Sequence, residues 1–134
     1  MSDDAGYAVS SLDQLGEGYG FRKIRHGLGV TAFGINAIVL PPGYETGLHA
    51  HEQQEETYFV HRGRIEFRFG DGSKHLLDAG GVVRVDASTP RGMRNAGDED
   101  AVVLVAGGKD GYVGRDGVAV ESGQNTPAGG PPGA

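Results

Sequence analysis

Short alternations of apolar and polar residues, broken at close intervals by glycine, run through most of this chain. The clearest is "RIEFRF", Arg64 to Phe69. It puts Ile65, Phe67 and Phe69 on one face and Arg64, Glu66 and Arg68 on the other, the period of two of a half-buried strand. "EETYFVH", Glu55 to His61, alternates as well and is rich in Thr, Tyr, Phe and Val. "GVTAFGINAIVL", Gly29 to Leu40, is β-branched and apolar; it predicts one or two strands that "PPG" then stops. "GLHAH" predicts the end of a further strand. "GDGS" is a hairpin turn. "KHLLDAG" and "GVVRVDA" follow, then a loop, then "AVVLVAGG", and "GRDGVAVE" adds a last strand. No segment holds apolar residues at helical spacing over three turns. The pattern predicts an all-β domain of roughly seven to ten short strands, built as a sandwich, a jelly roll or a closed barrel.

Composition refines this picture. At 134 residues one domain with one hydrophobic core is expected. Residues 1–20 read as a loose lead-in, 21–121 as the β domain, and 122–134, "SGQNTPAGGPPGA", as a disordered Gly/Pro-rich tail. The 12 basic against 18 acidic residues leave a net charge of −6, which attracts no phosphate backbone, so nucleic acid is an unexpected partner. The absence of cysteine excludes disulfides, thiolate zinc sites and cysteine nucleophiles. The N-terminus lacks the basic and apolar regions of a secretory signal. The apolar runs are too short to span a bilayer. A cytoplasmic protein without a membrane partner is expected.

The chemistry concentrates in "PPGYETGLHAHEQQEETYFVHRG", Pro41 to Gly63. His49 and His51 are two apart on a strand and project from one face. The four residues "EQQE" allow a reversal that brings Glu56 opposite them. Two neutral imidazoles and a carboxylate bind a divalent transition metal and leave coordination positions open; zinc accepts the same set. A bare pair of histidines is common and usually solvated, so the surrounding frame matters more than the pair. Alternation along Glu55 to His61 puts Glu56, Tyr58 and Val60 on one face and Glu55, Thr57, Phe59 and His61 on the other. A slip of one residue exchanges the two sets. Tyr58 is a candidate hydroxyl in the pocket, and Asn36 is polar in an otherwise apolar strand. His26 and His75 lack partners at ligand spacing and read as surface residues.

Gly43, His49, His51, Glu56 and Gly63 stand at the spacing G-x5-H-x-H-x4-E-x6-G. This resembles the first motif of the cupin superfamily at every anchor. Gly80, Asp86, Ser88, Arg91 and Asn95 resemble the second motif, G-x5-P-x-G-x2-H-x3-N, less closely: the glycine, spacing and asparagine match, whereas the proline, inner glycine and histidine are replaced. The resemblance spans about Ala32 to Ala106. It implies a small single-domain jelly-roll β-barrel with the metal inside and substrate entering at one mouth.

Arg91 stands where the family places a further histidine ligand. Arginine stays protonated and has no lone pair to give. Three readings follow. His49, His51 and Glu56 bind metal alone while Arg91 receives an anionic group of the substrate; or Arg91 pairs with Glu56 in a metal-free pocket; or Arg91 points to solvent at the barrel rim. The leading expectation is a metal-dependent enzyme with Arg91 and Tyr58 as catalytic candidates, acting on a small anionic or enolizable molecule. Iron or manganese would suit oxygen chemistry, and zinc or nickel isomerisation, cyclisation or hydrolysis. The rival is a non-catalytic binding module or sensor for a sugar or metabolite. A homodimer is expected, with the segment Tyr19 to Ile24 crossing to the partner in preference to the charged face of Arg64, Glu66 and Arg68.

Overall fold

The alternating segments pair as antiparallel strands in a computed structural model that describes residues 5–120. In chain order the elements are β1 (Gly20–Arg22), α1 (Ile24–Leu28), β2 (Gly34–Leu40), β3 (His49–His51), β4 (Glu55–Arg62), β5 (Arg64–Phe69), β6 (Lys74–Asp78), β7 (Val82–Val85), β8 (Arg91–Asn95), β9 (Ala101–Gly108) and β10 (Gly117–Ala119). They form two five-stranded sheets, in the orders β1-β2-β9-β4-β7 and β10-β3-β8-β5-β6. This is the all-β jelly-roll arrangement, and its strands include every alternating run noted above. The tail 122–134 lies outside the described residues.

Alternation fixes which faces meet. On β5, Ile65 and Phe67 are fully buried; on β4, Tyr58 and Val60 are buried while Glu55, Thr57, Phe59 and His61 are exposed. These inward sets come from opposite sheets and touch across the core, where the Tyr58 and Phe67 rings lie 5.4 Å apart at 66°. Val103 and Val105 of β9 join them with Ile38 and Leu40 of β2 and Met93 of β8. Chain reversal from β4 to β5 turns on Gly63. Its φ of 89° is left-handed, and a Cβ there would come within 2.9 Å of the Ala101 Cβ, so only glycine fits.

Two elements depart from expectation. Residues 91–95 form strand β8 where the pattern predicted part of a loop. "RGMRN" shows no apolar alternation because its inward residues are Arg91, Met93 and Asn95, all buried. A single helical turn, α1, lies in the lead-in to β2 and ends on Gly29, whose φ is 74° and whose N–H donates to the Arg25 carbonyl. Its five residues are too few for a helical period to register. The segment Gly20–Arg22 pairs with β2 of its own chain as an edge strand. Among the described residues no helix is long and apolar enough to cross a membrane.

Candidate metal centre and ligand cavity

A cavity of about 390 Å³ opens between the two sheets and is lined by His49, His51, Glu56, Tyr58 and Arg91 together with residues of α1 and of the β9–β10 connection. β3 supplies both histidines and β4 supplies Glu56, so the group draws on both sheets. One donor atom from each of His49, His51 and Glu56 lies within 4.8 Å of the others. The imidazole rings meet edge to face with centroids 5.1 Å apart. Glu55 faces outward and pairs with Arg84 at 2.9 Å, so the carboxylate turned to the histidines is that of Glu56. Glu56 registers against Gly107 on β9, and the missing side chain there leaves it room.

His51 is held from both sides. Its Nδ1 is 2.7 Å from an oxygen of Asp116, and its Nε2 is 3.1 Å from Oε1 of Glu56. Asp116 itself accepts from the Gln53 N–H at 2.8 Å, the Gln54 N–H at 3.1 Å and the Gln54 side-chain amide at 2.7 Å. Burial works against charge on Asp116, yet these donors and His51 hold its carboxyl well below the usual range. Burial likewise disfavours a charged His51, but Glu56 and Asp116 outweigh it and raise its pKa. His49 behaves oppositely: burial, then the Arg91 charge, lowers it to about 4, so its imidazole is neutral at ordinary pH. Burial opposes ionisation of Glu56, but His51, Tyr58 and Arg91 together lower its pKa.

Tyr58 donates its hydroxyl to Glu56 at 2.6 Å. Burial and then the neighbouring Glu56 charge push its pKa well above the ordinary value, so it keeps its proton. Arg91 lies directly across from His49 in the β3–β8 register and therefore shares its face. It is 0% exposed, which removes the reading of a solvent-facing rim residue. Its terminal nitrogens donate to the carbonyls of Ala87 and Asp86, each at 3.2 Å, and its approach to Glu56 is 3.8 Å, beyond hydrogen-bond length. Asn36 lines the cavity, and His26 does so at its mouth although exposed. His61 and His75 lie outside it.

The donor set fits a divalent transition metal on a test internal to the protein. His49 Nδ1 and His51 Nε2 are buried without a hydrogen-bond partner, although His51 Nε2 lies 3.1 Å from Glu56 Oε1. Buried polar atoms left in this way cost free energy that a bound cation recovers. Asp116 is the residue that sequence reasoning missed. It lies 65 residues from His51 within a glycine-rich stretch, and no local spacing marks it. Asn95, kept from the second motif, is structural: its amide donates to the carbonyls of Leu40 and Glu99 at 3.0 and 2.9 Å.

Fold and site together define a class, and comparison with known proteins agrees. Residues 37–107 match the Cupin domain family, and the chain belongs to it. No curated protein matches the chain at a significant level. A cupin protein from Bacteroides fragilis is 27% identical, with 84% of this chain and 96% of that one covered and a TM-score of 0.65. A predicted oxalate decarboxylase from Thermotoga maritima is 30% identical over 55% of this chain and 64% of its own, with a TM-score of 0.52. A DMSP lyase structure is 25% identical at a TM-score of 0.57; 65% of this chain is covered, but this spans only 43% of the lyase chain.

Proposed function

We propose that this protein is a metal-dependent cupin enzyme that holds a divalent transition metal through His49, His51 and Glu56 and acts on a small anionic or enolizable organic molecule. The observation that carries the reading is the convergence of three donor atoms within 4.8 Å in a cavity between the sheets, two of the buried imidazole nitrogens having no hydrogen-bond partner. Bound there, the metal would supply Lewis-acid polarisation of a substrate oxygen or, if redox-active, oxygen chemistry. The chain's own residues do the rest. Arg91, braced by two carbonyls, offers fixed positive charge to a carboxylate or to an enolate that develops during reaction. Tyr58 and Asp116 act as positioning residues, the first on Glu56 and the second on His51 Nδ1, which leaves Nε2 turned to the site. The similarity to a predicted oxalate decarboxylase supports an anionic substrate.

A second reading has its own support. The 3.8 Å approach of Arg91 to Glu56 suits a metal-free binding module in which the guanidinium takes the cation's place. Metal analysis of protein purified without added metal separates the two. Stoichiometric transition metal in the wild type, lost in the His49→Ala/His51→Ala double variant, is expected of the enzyme. A wild type free of metal under several growth conditions, or a double variant that keeps it, would overturn the assignment.

A further inference from the structure

We propose that the cavity carries a second oxyanion subsite at its mouth, formed by Lys23, Arg25 and Arg115, so that its ligand bears two acidic groups, carboxylate or phosphate. The inference rests on the reading of Arg91 as the inner anion contact. Charge around the cavity runs against the charge of the chain. Four cations, Lys23, Arg25, Arg91 and Arg115, line it against a single acidic side chain, Glu56, in a protein whose net charge is −6.

Pairing sets these cations apart from four arginines elsewhere, although Arg22, Arg62, Lys74 and Lys109, also away from the cavity, likewise have no carboxylate partner among the described residues. Arg64, Arg68, Arg84 and Arg94, away from the cavity, each have a carboxylate partner: Asp78, Glu45, Glu55 with Asp86, and Glu66. Lys23, Arg25 and Arg115 have none among the described residues. They reach the mouth from distant parts of the chain, two from around α1 and one from the β9–β10 connection. The two segments are joined by Arg25, whose guanidinium lies 3.9 Å over the Tyr112 ring. Stacking fixes the plane of the guanidinium and leaves its N–H donors unspent. Solvated surface cations need no such convergence. A cleft walled by one sign of charge focuses field and concentrates anions at its entrance. A volume of about 390 Å³ suits a small molecule that spans from Arg91 to this rim.

Calorimetric titration of the full chain tests this with three probes: glutarate, its monoamide glutaramate, and phosphoglycolate. Wild type is expected to bind at least one dianion about tenfold more tightly than glutaramate, the scale of one charge-assisted contact at a partly exposed site. The triple variant Lys23→Met/Arg25→Gln/Arg115→Gln should lose that preference and keep its affinity for glutaramate; Arg91→Gln should weaken all three. Tighter phosphoglycolate than glutarate marks the rim as a phosphate site, the reverse as a carboxylate site. Equal affinity of wild type for every probe, no binding of any, or a preference that survives the triple variant overturns the proposal. Metal content of the same preparations keeps the two readings apart. Dianion preference in metal-free protein removes the metal assignment alone, and loaded protein without the preference removes the rim subsite alone.

Discussion

Arg91 decides what the centre can be. It shares a face with His49 but cannot donate a lone pair, and two of its N–H donors are already spent on backbone carbonyls. Arg91→Ala should retain metal and weaken anionic ligands tenfold to a hundredfold, the equivalent of about 1.5–3 kcal/mol for a charge-assisted bond. Arg91→His should add a donor, tighten metal and impair turnover. If instead the wild type is empty and Arg91→Ala begins to load metal, the guanidinium was standing in for the cation and the enzyme reading falls. His49 gives a second prediction. Its pKa falls from 6.5 to about 4 on folding. The folded state therefore binds this proton less readily than the unfolded chain. The contribution of His49 to stability is complete above pH 6.5 and is lost as pH falls from there to about 4, by up to about 3 kcal/mol. In chelator-treated protein the midpoint of thermal unfolding should fall from pH 7 to pH 4 more steeply in wild type than in His49→Gln. Equal slopes would mean that the imidazole is not buried neutral.

At the scale of elements, legibility followed the origin of each contact. Alternation made β4 and β5 readable, and with them the inward turn of Glu56 and Tyr58, because burial on one face imposes a period of two. Strand β8 was hidden since two of its three inward residues, Arg91 and Asn95, are polar, and only the spacing to Asn95 hinted at its register. The Asp116 clasp on His51 was invisible because it joins segments that only the folded topology brings together. Gly107 belongs here too. Its place opposite Glu56 is set by the β4–β9 register, and a Cβ there would meet Gln54 Oε1 at 2.6 Å and both the Glu55 carbonyl and Glu56 Cγ at 3.0 Å. Gln54 can swing away, though it then releases Asp116; the strand backbone and Glu56 cannot move so freely. Gly107→Val should therefore cost about 1–3 kcal/mol by overpacking and shift the carboxylate. Denaturant midpoints and metal content read the two effects separately. A variant that is destabilised but loads metal as wild type does would show that Glu56 needs no such room.

For the whole molecule the arrangement of donors has a mechanical consequence. His49 and His51 belong to the sheet of β10, β3, β8, β5 and β6, whereas Glu56 belongs to the sheet of β1, β2, β9, β4 and β7. A cation held by all three is a tie between the layers, close to the core contact of Tyr58 with Phe67. Unfolding separates the layers and destroys the site, so the cation binds the folded chain in preference to the unfolded one. At a free concentration a hundredfold above its Kd that preference stabilises the fold by about 2.7 kcal/mol. For a domain of this size the shift in Tm is on the order of 10 °C. Chelation should lower Tm by that amount, and readdition of metal should restore it. Glu56→Gln should abolish most of the response even though both histidines remain, because the tie then holds one sheet only. Removal of both histidines should abolish it from the other side. A Tm that ignores chelator in metal-containing wild type would place the ion outside this group, and an undiminished response in Glu56→Gln would show that the two sheets are not joined through it.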